Sequence, residues 1–293
     1  MPGSSFSPSL WTALVTPFSQ QGTVCFQDLE KLLRRQEEVG LGVVLFGSTG
    51  EGISLSCGER QEILKFVCAL KLSIPLMVTV PGVFLQQSLE WVEFTRSYPV
   101  HSYLLTCPVY TKPGIEGQIT WFKTLMDRVQ KPCFLYNNPF RSAVPLSVQA
   151  VQALAMHPYF AGIKDSGASL NFLMDYRSVC PKSAIFCGDD PWISAMAPYG
   201  AAGLISVISN LLPSLSLKHV QQSLTGHSSY TDIWWKVNQF LSGASNPIPI
   251  KRALKEMGLM ACDSVRLPLS QKDFLYDEQG NDFLKNLLQS ETV

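Results

Sequence analysis

The chain has 293 residues, with 23 Lys and Arg against 23 Asp and Glu, and only 16% of them are charged. About 25% is usual, and a zero balance without basic clusters excludes nucleic acid as the main partner, because phosphate binding needs grouped Lys and Arg. So thin a polar coating, with mean hydropathy +0.12, requires extensive burial within the fold or between copies.

Short apolar runs alternate with amphipathic segments along the chain. Strands are predicted over 11–18 (WTALVTPF), 42–46, 75–80, 102–106, 132–136, 160–163, 184–187 and 203–208. Each is followed by a predicted helix, over 27–39, 59–72, 88–97, 118–129, 146–156, 171–179, 192–198 and 215–224. Uninterrupted apolar strands alternating with helices imply a parallel sheet covered by helices. Eight such units at near-even spacing predict an α/β fold, a TIM (β/α)8 barrel over residues 1–225. An open doubly wound sheet lacks support, since no GxGxxG follows the first strand. Residues 226–293 lack strand signals and read as a C-terminal helical extension packed on the barrel. Its helices are predicted over 230–241, 250–258 and about 282–289, with NPIP at 246–249 as a stiff connector.

Residues 192–217 carry no charge, long enough for a membrane-spanning helix of roughly 20 residues. Pro198, Gly200, Gly203, Asn210 and Pro213 interrupt the stretch, so it reads as a helix, a turn and a buried strand. No membrane association is expected. The first residues lack a basic region followed by an apolar core, so no secretory signal is expected. The eight cysteines are scattered without CxxC or CxxH pairing. Buried reduced thiols and a cytoplasmic location are expected, not a disulfide framework or zinc site.

Catalytic groups of such barrels lie at the C-terminal strand ends. Those positions hold GSTGE (47–51), Cys107 to Tyr110, YNNPFR (136–141), Lys164-Asp165-Ser166, Gly188-Asp189-Asp190 and Ser206. Lys164 follows the apolar run FAGI, so its amine is expected in or at the mouth of the barrel, whereas nearly all the other lysines fall on helices or loops where they would be solvated. Burial lowers an amine pKa, and a neutral amine forms a Schiff base with a ketone; the alternative is an ion pair with Asp165 or Asp189. GSTGE can close around a small carboxylate or be an ordinary tight turn. Tyr110 and Tyr136 can relay protons or be core tyrosines. Arg141 is a carboxylate clamp or a loop salt bridge. Asp189 and Asp190 read best as caps for the helix that follows. The four histidines are expected at strand starts, helix ends or the rear surface, which disfavours a metal site or His-dependent nucleophile.

Taken together and in order, GSTGE, YNNPFR, GIKDS and GDD-x12-GLISVISN resemble the dihydrodipicolinate synthase and N-acetylneuraminate lyase family of class I aldolases. The resemblance runs from about Trp11 to Pro213. It implies that Lys164 forms the Schiff base with pyruvate and that Tyr136 is the general acid and base. Ser48 and Thr49 would hold the pyruvate carboxylate, and Ser48 with Tyr110 would complete a proton relay. Tyr110 would be lent across a dimer interface, in a homo-oligomer that is a dimer or a dimer of dimers. Gly188 and Ile205 would line the pocket. Arg141 resembles the synthase branch, where it engages L-aspartate semialdehyde; the product would be 4-hydroxy-tetrahydrodipicolinate, on the way to diaminopimelate and lysine. The resemblance implies no metal or organic cofactor. The alternatives are a sialic acid lyase or 2-keto-3-deoxy sugar acid aldolase, or a barrel that only binds. Ser48 stands where synthases commonly have Thr, and Ser142-Ala143 replaces Thr-Gly. Cys57, Arg60 and Val109 depart from the lysine feedback pocket of sensitive relatives, so inhibition by lysine is not expected.

Overall fold

The computed structural model describes residues 8–82, 84–275 and 278–291. Eight parallel strands close into a barrel in chain order: β1 (Leu10–Ala13), β2 (Gly42–Leu45), β3 (Leu76–Val80), β4 (Ser102–Thr106), β5 (Cys133–Asn137), β6 (Phe160–Asp165), β7 (Ala184–Cys187) and β8 (Gly203–Ser206). Around them run α1 (Phe26–Val39), α2 (Cys57–Ala69), α3 (Leu85–Thr95), α4 (Ile115–Val129), the one-turn α5 (Pro139–Ser142), α6 (Val148–Leu154), α7 (Leu170–Val179), α8 (Ile193–Met196) and α9 (Pro213–Thr225). The expected barrel and its C-terminal helical part are both present. The latter comprises α10 (Thr231–Leu241), α11 (Ile248–Glu256) and α12 (Glu278–Glu291).

Two cores follow from the period-two alternation of strand side chains. Trp11, Ala13, Val44, Met77, Leu104, Phe134, Tyr136, Phe186 and Ile205 fill the barrel interior. The residues between them, such as Leu10, Val43, Leu45, Leu135, Ile163, Ile185 and Leu204, pack outward in a larger cluster with the helices. Gly42 makes room for the inward Trp11 indole, since a Cβ there would lie 2.4 Å from the ring. Trp234, Val237, Ile250, Ala253, Leu254 and Leu284 join the outer cluster, so the C-terminal helices share the barrel's core.

Several boundaries differ from expectation, and at the first strand, the eighth strand and α2 a side chain takes over a backbone hydrogen bond. The first strand ends at Ala13, not Phe18. Beyond it the Val15 N–H donates to Asn210 Oδ1 at 3.0 Å, and the Thr16 hydroxyl donates to the Gly50 carbonyl at 2.7 Å. The eighth strand ends at Ser206, because the Asp190 carboxylate accepts the Val207 N–H at 2.8 Å and the chain turns. The sixth extends two residues past Ile163, carrying Lys164 and Asp165 into the sheet. α2 starts earlier than expected, at a Ser56–Glu59 capping box.

The uncharged 192–217 stretch becomes α8, β8 and the start of α9. Among the described residues no helix is long and apolar enough to cross a membrane. All eight cysteines are free, and Cys107, Cys133, Cys180, Cys187 and Cys262 are buried, whereas Cys57 is exposed. Burial raises the thiols of Cys107, Cys133, Cys180 and Cys187 above their ordinary range, which keeps them protonated and inert.

Candidate active site

The strand ends open into a cavity of about 610 Å³ whose lining includes Ser48, Thr49, Tyr136, Asn138, Arg141, Lys164, Ser166, Gly188 and Asp189. Lys164 and Tyr136 are register partners across β5 and β6. Neighbours in register on a parallel pair present side chains to the same face, so the amine and phenol meet inside the barrel. Lys164 is 6% exposed, and its Nζ lies 4.4 Å from the centroid of the Tyr136 ring. Among the described residues no carboxylate forms an ion pair with it, so the structural alternative of a Lys164 pair with Asp165 or Asp189 is not what the fold builds.

The Tyr136 phenol oxygen accepts a hydrogen bond from Asn138 Nδ2 at 2.9 Å. Burial pushes this phenol up, but the Lys164 charge and the adjacent Asn138 amide and Ser166 hydroxyl outweigh it, leaving the phenol below its ordinary value. The buried Ser166 Oγ has no partner at full hydrogen-bond geometry. Asp189 is raised by burial, with the Lys164 charge opposing. Asp165 is pushed up to about 6 by burial, although Asn137 Nδ2 donates to it at 2.7 Å and the Gly167 N–H at 3.0 Å. The site is thus a buried cation and an acidified phenol among desolvated polar groups.

Gly188 brings β7 close enough to complete this wall. A Cβ there would lie 2.1 Å from Ser166 Oγ and 2.9 Å from Lys164 Cε. On the opposite side, GSTGE forms a tight turn in which the Glu51 N–H donates to the Ser48 carbonyl at 3.2 Å. Thr49 is buried, and its Oγ1 accepts from Asn246 Nδ2 at 2.9 Å. Accepting from Asn246 leaves the Thr49 hydroxyl proton to be donated elsewhere. Asn138 caps α5 by accepting the Arg141 N–H, and this one turn sets Arg141 at the cavity wall.

Some expectations need correcting. Arg141 is exposed and makes no salt bridge among the described residues, so the loop salt bridge is not formed; its guanidinium reaches the Asn246 carbonyl at 3.4 Å. Ile205 sits in the apolar layer of the barrel interior and is not part of the cavity wall. Tyr110 is 90% exposed at positive φ and does not line its own chain's cavity. Asp190 does not cap the following helix; it is buried and accepts from the Ser206 hydroxyl and the Val207 N–H, with burial pushing it up to about 6. His219 is fully buried rather than at the surface, stacked on Trp234 and bonded to Ser228 at 2.8 Å, and burial lowers it to about 4. Among the described residues no three His, Cys, Asp or Glu gather as a metal site would require.

The C-terminal helices contribute more than the sequence suggests. Asn238, Leu241, Ser242, Asn246 and Ile250 close the outer side of the cavity. The NPIP connector was the available signal. Lys251, which seems one of many helical lysines, is completely buried. Its place beside Ile250 and one turn before Leu254 puts it on the apolar stripe of α11, a pattern that could have singled it out.

Residues 7–287 match the dihydrodipicolinate synthetase family. The chain is 45% identical over 268 residues to a 4-hydroxy-tetrahydrodipicolinate synthase of Wolbachia pipientis wMel, covering 91% of this chain and 92% of that protein. It is 44% identical over 264 residues to the enzyme of that name from Chlamydia felis, covering 90% of each. In three dimensions it resembles the chloride-inhibited dihydrodipicolinate synthase from Acinetobacter baumannii complexed with pyruvate, with a TM-score of 0.86, 29% identity and coverage of 97% and 99%. The Bacillus anthracis dihydrodipicolinate synthase matches with a TM-score of 0.86 and 26% identity over 96% and 97%. On the sequence match and the shared barrel, the chain belongs to the dihydrodipicolinate synthetase family.

Proposed function

We propose that this chain condenses pyruvate with L-aspartate semialdehyde to give 4-hydroxy-tetrahydrodipicolinate through an imine on Lys164. The observation that carries the reading is the Lys164 amine, buried, without an ion-pair partner among the described residues, lying over Tyr136 and lining an open cavity. The names of the relatives support the choice of substrates.

The Lys164 amine attacks the ketone carbon of pyruvate and water leaves, giving a protonated imine. Ser48 and Thr49 hold the pyruvate carboxylate; the Thr49 hydroxyl is free to donate because its oxygen already accepts from Asn246. The imine withdraws electrons from the adjacent methyl, which loses a proton to become an enamine. Tyr136 moves protons at these steps, as its lowered phenol allows. The enamine carbon attacks the aldehyde, whose oxygen takes up a proton. The amino group of the semialdehyde then displaces Lys164 from the imine carbon, closing the ring and freeing the enzyme. One water is released overall.

Arg141 lies at the cavity wall with no salt bridge among the described residues, placed to pair with the carboxylate of the second substrate through two parallel N–H bonds. The exposed Tyr110, which does not line its own cavity, is read as serving a partner subunit, where with Ser48 it extends the relay to Tyr136. The functional unit is then a cytoplasmic homo-oligomer built from dimers.

Incubation with pyruvate and borohydride tests the reading. A stable adduct is expected on the Lys164 peptide by mass spectrometry, absent in Lys164→Ala. No adduct in the unaltered enzyme overturns it. Where the adduct forms, faster turnover of aspartate semialdehyde than of N-acetylmannosamine is expected, and the reverse would place the chain among the lyases.

A further inference from the structure

Beneath the GSTGE turn lies an ionic cluster that plays no part in the chemistry above. Glu51 is 3% exposed, and Lys251 is completely buried. Lys251 Nζ lies 2.5 Å from Glu51 Oε1 and donates to the Ser264 carbonyl at 2.9 Å, over the face of Phe18 at 4.1 Å. The Arg266 N–H donates to the other Glu51 oxygen at 2.8 Å. The Arg266 guanidinium covers the same Phe18 ring at 4.5 Å and binds Glu59 with two nitrogens. A buried pair, Lys251–Glu51, thus adjoins a partly exposed one, Arg266–Glu59.

A buried ion pair is weak evidence for stability, because desolvation offsets most of its attraction; registration of elements is its better-attested use. What Glu51 registers is specific. Its N–H closes the turn onto the Ser48 carbonyl, and both Phe46 and Glu51 hold positive φ, 62° and 51°. Non-glycine residues stay in that region only where their surroundings over-determine it. The same segment that carries Lys251 grips the turn a second time, through Asn246 Nδ2 on Thr49 Oγ1. The turn is therefore held at Glu51 by Lys251 in the first turns of α11 and at Thr49 by Asn246 in the connector just before it.

We propose that α11 sets the carboxylate-binding geometry of the GSTGE turn, with Lys251 acting through Glu51 as a positioning residue for pyruvate. This rests on the reading of Ser48 and Thr49 as holders of the pyruvate carboxylate. Lys251 touches no substrate; it keeps the turn where Ser48 and Thr49 line the same cavity as Lys164. Without Lys251, Glu51 loses its ion-pair partner and keeps the Arg266 N–H on its other oxygen, so the turn must move to hydrate the freed carboxylate oxygen.

The test uses the full-length protein, with borohydride trapping on Lys164 measured against pyruvate concentration. Lys251→Met and Lys251→Gln are expected to raise the half-saturating pyruvate about tenfold or more, with the final extent of adduct retained, as loss of binding without loss of chemistry requires. Lys251→Arg, which restores the cation, should return within about threefold of the unaltered enzyme on the same reasoning. If the methionine variant does not fold, the glutamine variant keeps a donor to Glu51 and carries the test. Glu51→Gln should shift half-saturation in the same direction. Half-saturation within twofold of the unaltered enzyme in folded variants, or an arginine variant as impaired as the methionine one, overturns the proposal while the Schiff-base reading stands. No adduct in the unaltered enzyme overturns both.

Discussion

Tyr136 and Lys164 are register partners on adjacent strands, and the ammonium lies 4.4 Å from the centre of the phenol ring. The two groups need each other. The cation lowers the cost of ionising a phenol that burial would otherwise hold neutral.

Tyr136→Phe keeps the ring beneath Lys164 and removes the proton carrier. We expect kcat to fall about 100-fold or more, within the range usual for a positioned acid or base. Borohydride trapping after long incubation should still modify Lys164. Full turnover in this variant would exclude the phenol from proton transfer.

Arg141 is exposed and carries no salt bridge among the described residues, so its removal should leave the fold intact. Arg141→Ala is expected to raise KM for aspartate semialdehyde about 10- to 100-fold, the worth of a charged hydrogen-bonded pair. Pyruvate imine formation should change little. Equal loss in both measurements would remove Arg141 from recognition of the second substrate.

Gly188→Ala puts a methyl 2.1 Å from Ser166 Oγ and 2.9 Å from Lys164 Cε. Overpacking of this kind costs about 1–3 kcal/mol, so a lower melting temperature is expected. Because the displaced groups include Lys164, the rate of adduct formation should fall as well. A variant with native stability and native trapping rate would contradict the close approach.

Acid stability should report the Arg266–Glu59 contact. The Arg266 guanidinium holds the Glu59 carboxyl down to about 2, against an ordinary value of 4.5 and despite the opposing effect of burial. A carboxyl lowered on folding stabilises the protein fully above its unfolded value, and that contribution disappears as pH falls towards 2. With the side chain about a quarter exposed, we expect about 1–2 kcal/mol after solvent screening. Urea midpoints of the unaltered protein should exceed those of Glu59→Gln at pH 7 and converge with them as pH drops from 4.5 to 2. A constant gap across that range would assign the difference to something other than ionisation.

The Tyr110 assignment is tested by complementation between inactive chains. Mixed oligomers of Tyr110→Phe and Lys164→Ala subunits should recover part of the activity that each lacks alone, if the phenol serves a neighbouring site. No recovery after verified subunit mixing would place Tyr110 outside the relay.

What the sequence by itself determined is what depends on local order. Eight apolar runs alternating with amphipathic ones specify a closed parallel barrel, and strand ends can be counted from the runs. Lys164 and Tyr136 were legible because each directly terminates such a run, and the period of two then turns both inward. The tertiary structure decided everything that joins distant segments. Lys251 meets Glu51 across 200 positions and Asn246 meets Thr49 across 197. Asp190 turns from the expected cap to β8, and Arg141 reaches the Asn246 carbonyl across 105 positions. The physical reason is common to these cases. Periodicity tells a side chain whether to face the core, but a buried charge chooses its partner by closure of the whole chain, which no local pattern encodes.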